Sequence, residues 1–200
     1  LVHSPIIPHF FDLISGSLGF SFAENQLLFN GELKSASEIA ESVLRRNSFF
    51  SVDTKSSEGD FDFVLGEINK GLFKTDRIAL DPAYGVEIAN KRYANWLSDM
   101  KEANDRVLSV IYMKGKPVGY ELAKYKGDIV RAIHGGLFSA YQKMPIGLME
   151  MASLVRSYAS RFQTHIATVS SNNLAVIKGW EFFNYKITDV NYVFIKHVNR

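Results

Sequence analysis

The sequence of 200 residues contains no cysteine. This absence excludes a disulfide framework, a zinc site built on thiolates and a cysteine nucleophile. It is compatible with the cytoplasm, where we expect the protein to reside. An apolar run of the about 18 residues that span a bilayer is also lacking. The apolar start of the chain has no cationic leader, so we expect neither a membrane span nor a secretory signal. Because the chain begins with Leu1 rather than methionine, we expect that residues precede it.

An excess of charge of one sign is lacking too. The chain has 23 Lys and Arg against 21 Asp and Glu, which gives a net charge of +2. No block of like charge stands out, so neither nucleic acid nor an acidic membrane surface is indicated as a partner. The composition, 46% hydrophobic and 22% charged, is typical of a globular protein with a buried core. The length fits one domain, or one domain and part of another.

Hydrophobic periodicity predicts an alternation of helices and strands. In the first part of the chain we predict a helix over residues 10–14, a strand over 20–32, a helix opening at residue 35, a strand over 49–52 and a helix over 61–73. Further on we predict a helix over 86–100, strands over 107–113, 118–123 and 129–138, a helix over 146–162, a strand over 165–169, a helix over 175–183 and a strand over 192–196. This order indicates a mixed α/β sheet with helices on its faces.

Residues 137–147 join a predicted strand to a predicted helix. A helix N-terminus presents unpaired N–H groups and a partial positive charge, which suit a diphosphate. Pro145 lacks an N–H group, but its fixed φ suits the first position of a helix. The alternative interpretation is an ordinary connection between strand and helix. The expected donors are the Gln142 side chain and the backbone N–H groups of Lys143, Met144, Ile146 and Gly147.

This loop resembles the acetyl-CoA pyrophosphate loop of the GNAT superfamily of N-acetyltransferases. The family pattern is Gln or Arg, two residues, Gly, one residue, and Gly or Ala, and Gln142 and Gly147 match it. Pro145 stands in place of the first glycine, and Lys143 stands where a further glycine is common. The resemblance implies that the strand before the loop splays from its neighbour and binds the pantetheine arm through Leu137, Phe138 and Ser139. An intact strand pair is the alternative.

A second stretch also resembles the family, in which a strand ends at an Asn that contacts the cofactor. Asn173 matches this residue, although an Asn before a helix is also an ordinary N-cap. Trp180 occupies the position of a Tyr that commonly protonates the departing CoA sulfur. An indole N–H has no usable proton to give. Three alternatives follow: acid help is dispensable because thiolate is a fair leaving group, Tyr185 or Tyr192 supplies the proton, or Trp180 packs in the core of a domain that has lost catalysis.

A third stretch, residues 76–82 with 92–96, is similar to sugar-amine N-acetyltransferases such as the TDP-fucosamine acetyltransferases. That subgroup carries an incomplete acetyltransferase-like lobe before the main domain. The resemblance therefore implies part of such a lobe over residues 1–46 and the acetyltransferase domain over residues 47–200.

His134 is the histidine that we consider as a general base, although a lone histidine on a strand is more often structural. The spacing of the other histidines indicates no metal site.

The resemblance implies an α/β fold with a mostly antiparallel sheet and an N-acetyltransferase that uses acetyl-CoA. The acceptor is a small-molecule amine, and an amino-sugar nucleotide is the class the subgroup suggests. Neither nucleic acid nor a membrane is expected as a partner. We expect the protein to form a homodimer. Two other hypotheses are a GNAT-like binding module without turnover, and an enzyme that transfers another acyl group.

Overall fold

A computed structural model describes residues 14, 16, 18–47, 49–53 and 58–197 of the chain. The helix that the sequence predicts over residues 10–14 lies outside this described part, except for Ile14.

The described residues form seven strands and five helices. The strands are β1 (Ser21–Glu32), β2 (Phe50–Asp53), β3 (Arg106–Met113), β4 (Lys116–Lys126), β5 (Ile129–Leu137), β6 (Thr164–Ser170) and β7 (Lys186–Ile195). The helices are α1 (Leu33–Leu44), α2 (Glu58–Asn69), α3 (Gly85–Asp99), α4 (Gly147–Ala159) and α5 (Leu174–Phe182). The predicted order of elements is therefore confirmed for the part of the chain that the structure describes.

All seven strands belong to one sheet, in the order β2-β3-β4-β5-β6-β1-β7. Strands β5 and β6 are parallel, and every other neighbouring pair is antiparallel. The predicted meander of β3, β4 and β5 is made by tight turns. Lys114 and Gly115 both have positive φ in the first turn, and Gly127 does in the second, which matches the backbone of short hairpin loops. The mixed, mostly antiparallel sheet is confirmed.

Helices cover both faces of the sheet and bury two hydrophobic clusters. On one face α1, α4 and α5 pack over a cluster that includes Phe29, Leu33, Val155 and Trp180. On the other face α2 and α3 pack over a second cluster that includes Val64, Leu97 and Leu122. Helices therefore cover both faces of the sheet, and its strand ends and gaps between strands remain accessible.

The N-terminal segment contributes to this same sheet. Strand β1 lies between β6 and β7, and it pairs with both along most of its length. Leu33, Ala36 and Leu44 of α1 lie in the same buried cluster as α4. The division into a lobe over residues 1–46 and a domain over residues 47–200 stays a prediction. Within the first range, the structure describes a strand that belongs to the sheet and a helix that packs in the core cluster on its face.

The start of α4 corrects one prediction. The helix was predicted to begin at residue 146, but it begins at Gly147 and Ile146 is its N-cap residue. Pro145 therefore lies two residues before the first turn. Because it has no N–H group, it ends the preceding turn without leaving a donor unpaired.

Candidate functional site

The parallel strands β5 and β6 are paired over only three positions. Ile129, Val130 and Arg131 pair with residues 164–166, and beyond this point neither strand bonds to the other. Residues 132–137 of β5 and 167–170 of β6 diverge and form what we call the opening. The sheet is continuous on both outer sides, since β5 stays paired with β4 and β6 with β1. The opening therefore exposes backbone groups of two strands in the middle of the sheet.

A β-bulge in β5 accounts for this divergence. Leu122 pairs with His134 and Ala123 with Ala132, so Ile133 is an extra residue without a partner on β4. A bulge bends its strand and increases the local twist. It comes directly after the last pair between β5 and β6, at Arg131. The bend therefore turns the end of β5 away from β6 where the opening begins.

Two glycines line the opening on the β5 side. A Cβ atom on Gly135 would lie 2.5 Å from the carbonyl oxygen of Tyr120 and 2.8 Å from the Cα of Glu121. Gly136 has a φ of +144°, which side chains rarely allow. Both positions require glycine, and Gly135 leaves the α4 face of β5 bare at this level.

The opening ends at two helix N-termini. Because parallel strands share their direction, the carboxyl ends of β5 and β6 lie together, and α4 and α5 begin there. Among the described residues, the backbone N–H groups of Ile146 and Gly147 find no backbone acceptor. These free donors and the helix dipole favour an anion at this end of the opening.

The structure places the predicted loop residues at this end with different degrees of exposure. Lys143, Met144 and Pro145 are exposed. The N–H of Met144 is already bonded to the carbonyl oxygen of Tyr141 at 2.9 Å, which removes it from the expected set of donors. Ile146 is buried and anchors the loop in the core.

The Gln142 side chain holds the loop rather than pointing into the opening. Its Nε2 donates to the carbonyl oxygens of Leu72 at 3.2 Å and Leu137 at 3.3 Å. Leu137 is half-buried at the end of β5. Phe138 is buried in the α2–α3 cluster, and its N–H bonds to Val118.

Ser139 is exposed and begins the loop after β5. Leu137, Phe138 and Ser139 therefore face three different surroundings at the edge of the opening. Their predicted contact with a pantetheine arm stays a prediction.

Asn173 lies across the opening from the loop, at the N-cap of α5. Its Oδ1 accepts a hydrogen bond from the N–H of Val176 at 3.3 Å. Its predicted role as a cap is therefore confirmed, and its predicted contact with a cofactor stays a prediction. The side chain is exposed at the mouth of the opening.

Trp180 lies in the core, where only 4% of its surface is exposed. Its ring packs against Tyr185 with centroids 4.6 Å apart and against His165 at 5.1 Å. This placement agrees with the interpretation of Trp180 as a packing residue. Close approach of α5 to α4 needs Gly179, whose Cβ would lie 2.5 Å from the sulfur of Met151.

Tyr185 is buried beside Trp180, and its hydroxyl lies 3.0 Å from Nδ1 of His165. Burial raises its pKa well above the usual value, with a further contribution from the Glu121 charge. Tyr192 is on β7, where it pairs with Asn25, and two strands separate it from the opening. The predicted acid roles of both tyrosines stay predictions, and neither side chain reaches the mouth of the opening.

Under the opening, on the α4 face, lies a group of buried polar side chains that we call the carboxyl cluster. Nε2 of His165 on β6 lies 3.4 Å from Oε1 of Glu121 on β4. The hydroxyl of Tyr158 on α4 lies 3.1 Å from that of Ser109 on β3. The members of the cluster are Ser109, Glu121, Glu150, Tyr158, His165 and Tyr185.

Glu150, in the first turn of α4, is the acid of this cluster. Burial, together with the charge of Glu121, raises its pKa to about 8. A carboxyl group with this pKa is mostly protonated at neutral pH, so the cluster combines a neutral acid with a second carboxyl group.

On the opposite face His134 lies within what we call the aromatic cluster. Its Nδ1 is 2.8 Å from the hydroxyl of Tyr120. Burial, helped by the nearby Arg92 charge, lowers its pKa to about 3. A base this weak takes a proton poorly at neutral pH, which argues against its predicted role as a general base. The cluster consists of Phe73, Tyr93, Trp96, Tyr120 and His134.

Asp76 and Arg77 fasten the loop between α2 and α3 to this region. Asp76 accepts a hydrogen bond from the Tyr93 hydroxyl at 2.6 Å, and Arg77 donates to the buried carboxylate of Glu24 at 2.7 Å. The hydroxyl of Ser170, the last residue of β6, donates to the same carboxylate at 2.6 Å. These contacts fix one wall beside the opening.

Sequence reasoning did not find Glu121, Glu150 or His165 as a group. They lie on three separate elements, and only the sheet order and the packing of α4 on the sheet bring them to the same face. Within the described ranges no set of three or more His, Cys, Asp or Glu side chains is arranged to hold a metal ion. The same ranges contain no helix long and apolar enough to cross a bilayer.

The chain is similar in fold to several proteins of known structure. No model of a known protein family matches the chain, and no curated protein matches it. A conserved protein of unknown function from Staphylococcus epidermidis is similar, with a TM-score of 0.69 at 16% identity over 97% of this chain. GCN5-related N-acetyltransferases from Sphaerobacter thermophilus and Kribbella flavida have TM-scores of 0.59 and 0.54 at 12% and 10% identity, over 92% and 94% of this chain.

These similarities show that the chain has the GNAT fold. The chain spans 69% of the Staphylococcus protein, 54% of the Sphaerobacter protein and 63% of the Kribbella protein. The neighbours are therefore longer than this chain, and at these identities the likeness describes architecture alone.

Proposed function

We propose that the protein is an acyltransferase that uses acetyl-CoA and acetylates the amine of a small molecule. The opening between β5 and β6 is the observation that carries this proposal. An extended pantetheine arm carries amide groups, and it pairs with the free backbone of residues 132–137 as an added strand would. The pyrophosphate then meets the free N–H groups of Ile146 and Gly147 at the start of α4.

The reaction needs few special groups. The acceptor amine attacks the thioester carbonyl, the C–N bond forms and the C–S bond breaks. Positioning of both substrates in one cleft supplies much of the rate. Backbone N–H groups along the opening polarise the carbonyl as its charge develops. Residues 76–82 and 92–96 favour an amino sugar or its nucleotide as the acceptor, because they resemble the sugar-amine enzymes.

A binding module without turnover is the second candidate. It is favoured by Trp180, which is buried at the position where the family has its acid. Under this hypothesis the domain binds another ligand or a partner without turnover, and absence of CoA binding favours it.

Calorimetric titration of acetyl-CoA and CoA tests the proposal, with Gly147→Glu as the disruptive variant. A Cβ on Gly147 meets nothing within 4 Å, so the substitution leaves the fold intact and puts a negative charge where the pyrophosphate would lie. Gly66→Glu, at an equally open position on α2, is the matched control. We expect micromolar binding by the unmodified protein and by the control, and its loss in Gly147→Glu. Absence of binding in the folded, unmodified protein would contradict the proposal.

A further inference from the structure

The aromatic cluster borders the opening on the α2–α3 face of the sheet. His134 belongs to the segment of β5, residues 132–137, that diverges from β6. The centroid of its ring lies 5.3 Å from that of Tyr93 and 6.3 Å from that of Trp96. His134 is only 8% exposed, whereas Tyr93 and Trp96 on α3 are half-buried. Solvent therefore reaches the aromatic rings around a buried imidazole, beside the strand that lines the opening.

Arg92 on α3 adds a positive charge to this cluster. Its guanidinium carbon lies 4.0 Å from the centroid of the Trp96 ring and 5.3 Å from that of Tyr93. The guanidinium of Arg92 and the imidazole of His134 thus share the same two aromatic neighbours. The Arg92 side chain is 26% exposed, so a ligand that arrives from solvent meets this charge first.

One nitrogen of each of these two groups is buried without a hydrogen bond. Among the described residues, neither Nη1 of Arg92 nor Nε2 of His134 has a partner. Asp76 leaves Nη1 unsatisfied, because its Oδ2 is 3.6 Å away and already accepts from the Tyr93 hydroxyl at 2.6 Å. The other oxygen of Asp76 accepts from two backbone N–H groups of its own loop. Buried polar atoms without partners destabilise a fold, so two of them in one cluster indicate a ligand.

Both of these nitrogens are donors. Burial, helped by the Arg92 charge, lowers the pKa of His134 to about 3, so its ring is neutral and carries one N–H. Its Nδ1 lies 2.8 Å from the hydroxyl of Tyr120, which is fully buried. If Nδ1 carried the hydrogen, the Tyr120 O–H would lack an acceptor among the described residues. The hydroxyl therefore donates to Nδ1, and Nε2 of His134 carries the unpaired N–H.

The two donors select a ligand group that has acceptor oxygens and a negative charge. An ionised carboxylate or a phosphodiester only accepts hydrogen bonds, and guanidinium N–H groups bind such oxygens well. A hydroxyl group would need an acceptor as well, and neither unsatisfied nitrogen provides one. The Asp76 carboxylate offsets much of the Arg92 charge, so one negative charge fits better than the two of a phosphate monoester.

We propose that the aromatic cluster binds the acceptor through a singly charged oxygen group, a carboxylate or a phosphodiester, held by Nη1 of Arg92 and Nε2 of His134. This inference rests on the function proposed above. The half-buried rings of Phe73, Tyr93 and Trp96 pack against the apolar part of the same molecule. With the anion beside His134, the amine is directed along β5 toward the thioester in the opening. The acceptor is thus an amine that also carries an anionic group.

A nuclear magnetic resonance titration of the CoA complex tests the site with two small anions, acetate for a carboxylate and dimethyl phosphate for a phosphodiester. The ¹⁵N shifts of the His134 ring and the Arg92 side chain report binding. Arg92→Gln removes the charge, and Lys91→Gln is the matched control, because Lys91 is its exposed neighbour on the same helix. Arg92→Lys keeps a charge at this position in case Arg92→Gln does not fold. The titration is repeated without CoA, and calorimetry reports CoA affinity separately.

We expect at least one of the two anions to shift both groups saturably at millimolar concentration. Arg92→Gln should weaken this binding by about tenfold or more and Arg92→Lys by less, whereas Lys91→Gln should match the unmodified protein. The anion that binds more tightly identifies the kind of group. No saturable shift with either anion, or equal binding by Arg92→Gln, would overturn the proposal even where CoA binds. Anion binding by a protein that does not bind CoA would instead overturn the proposed function.

A transfer assay connects the anion site to the acceptor. Release of CoA from acetyl-CoA is followed with pairs of amines that differ in the anion, such as glucosamine and its uronic acid, or phenethylamine and phenylalanine. The anionic member of a pair should be preferred, and Arg92→Gln should raise its KM by about tenfold with little change in kcat. Preference for the neutral members would overturn the proposal and leave acetyl transfer intact.

Discussion

The two faces of the sheet at β5 shift the pKa of a buried ionisable group in opposite directions. On the α2–α3 face the aromatic cluster surrounds His134 and lowers its pKa to about 3. On the α4 face the carboxyl cluster raises the pKa of Glu150 to about 8. Burial is the main cause in both cases, and in both it favours the neutral form. The neighbouring charge then adds to it, from Arg92 on one face and from Glu121 on the other.

The difference lies in what each neutral group can do. A neutral histidine with a pKa near 3 is a hydrogen-bonding group, whereas a neutral carboxylic acid with a pKa near 8 is a proton donor at neutral pH. His134 and Glu150 also make the free energy of unfolding change with pH in opposite directions. Folded His134 binds fewer protons than its unfolded form, and folded Glu150 binds more.

The largest expected effect comes from Gly135→Ala, which disturbs both faces at once. Its new Cβ would lie 2.5 Å from a backbone oxygen and 2.8 Å from a backbone carbon of β4, so the two strands must separate. We expect a loss of about 4 kcal/mol in the free energy of unfolding, measured by urea denaturation. Gly66→Ala has open space and is the control, with a small gain in stability. An unchanged unfolding midpoint for Gly135→Ala would contradict the close approach of these strands.

Glu150→Gln should remove the decrease in the free energy of unfolding that Glu150 causes as the pH rises. The pKa of Glu150 rises from 4.5 in the unfolded chain to about 8 in the fold. Its contribution is therefore complete below pH 4.5 and is lost as the pH rises through about 8. We expect the variant to be more stable than the unmodified protein at pH 9 by about 3 kcal/mol, and similar to it at pH 5. Parallel stability curves from pH 5 to pH 9 would argue against a buried acid at this position.

His134→Phe should remove the decrease in the free energy of unfolding that His134 causes on the α2–α3 face as the pH falls. The pKa of His134 falls from 6.5 in the unfolded chain to about 3 in the fold, so its contribution is present above pH 6.5 and is lost as the pH falls toward 3. The variant should lose about 2 kcal/mol at pH 7, because the Tyr120 hydroxyl is left without its partner. Its stability should then fall less than that of the unmodified protein between pH 6.5 and pH 4, as followed by thermal unfolding. An equally steep fall would place the acid sensitivity elsewhere.

Asn173→Ala should have the smallest effect and leave both faces unchanged. It removes the cap of α5, which costs about 1 kcal/mol. The expected result is a slightly lower midpoint of thermal unfolding, with the same pH slopes as the unmodified protein. A loss several times larger would mean that Asn173 supports more than the helix end.

Local signals in the sequence were sufficient for most elements of the second half. Turns at Gly115 and Gly127 and the change of hydrophobic period around Gln142 all lie where the structure has boundaries. The cap at Asn173 was also predictable, because it depends on residues that are adjacent in sequence. The start of α4 was misplaced by one residue, since a proline suits both a first helical position and the turn before it.

Pairings between distant segments were beyond local reasoning. The position of β1 between β6 and β7 joins residues more than 130 apart, and no turn signal specifies it. The carboxyl cluster was missed for the same reason. A glutamate at position 121 or 150 looks solvent-exposed in the sequence, and only the crossing at Gly135 and the packing of α4 show that both are buried.

The central claim is that the opening between β5 and β6 holds the CoA arm. It is tested most directly by amide chemical shifts of the protein titrated with CoA. We expect changes to concentrate in residues 132–137, 143–149 and 167–170, with little change at the exposed end of α1 near Arg45 and Arg46. Changes confined to other regions, or none in a sample shown to be folded, would contradict the account.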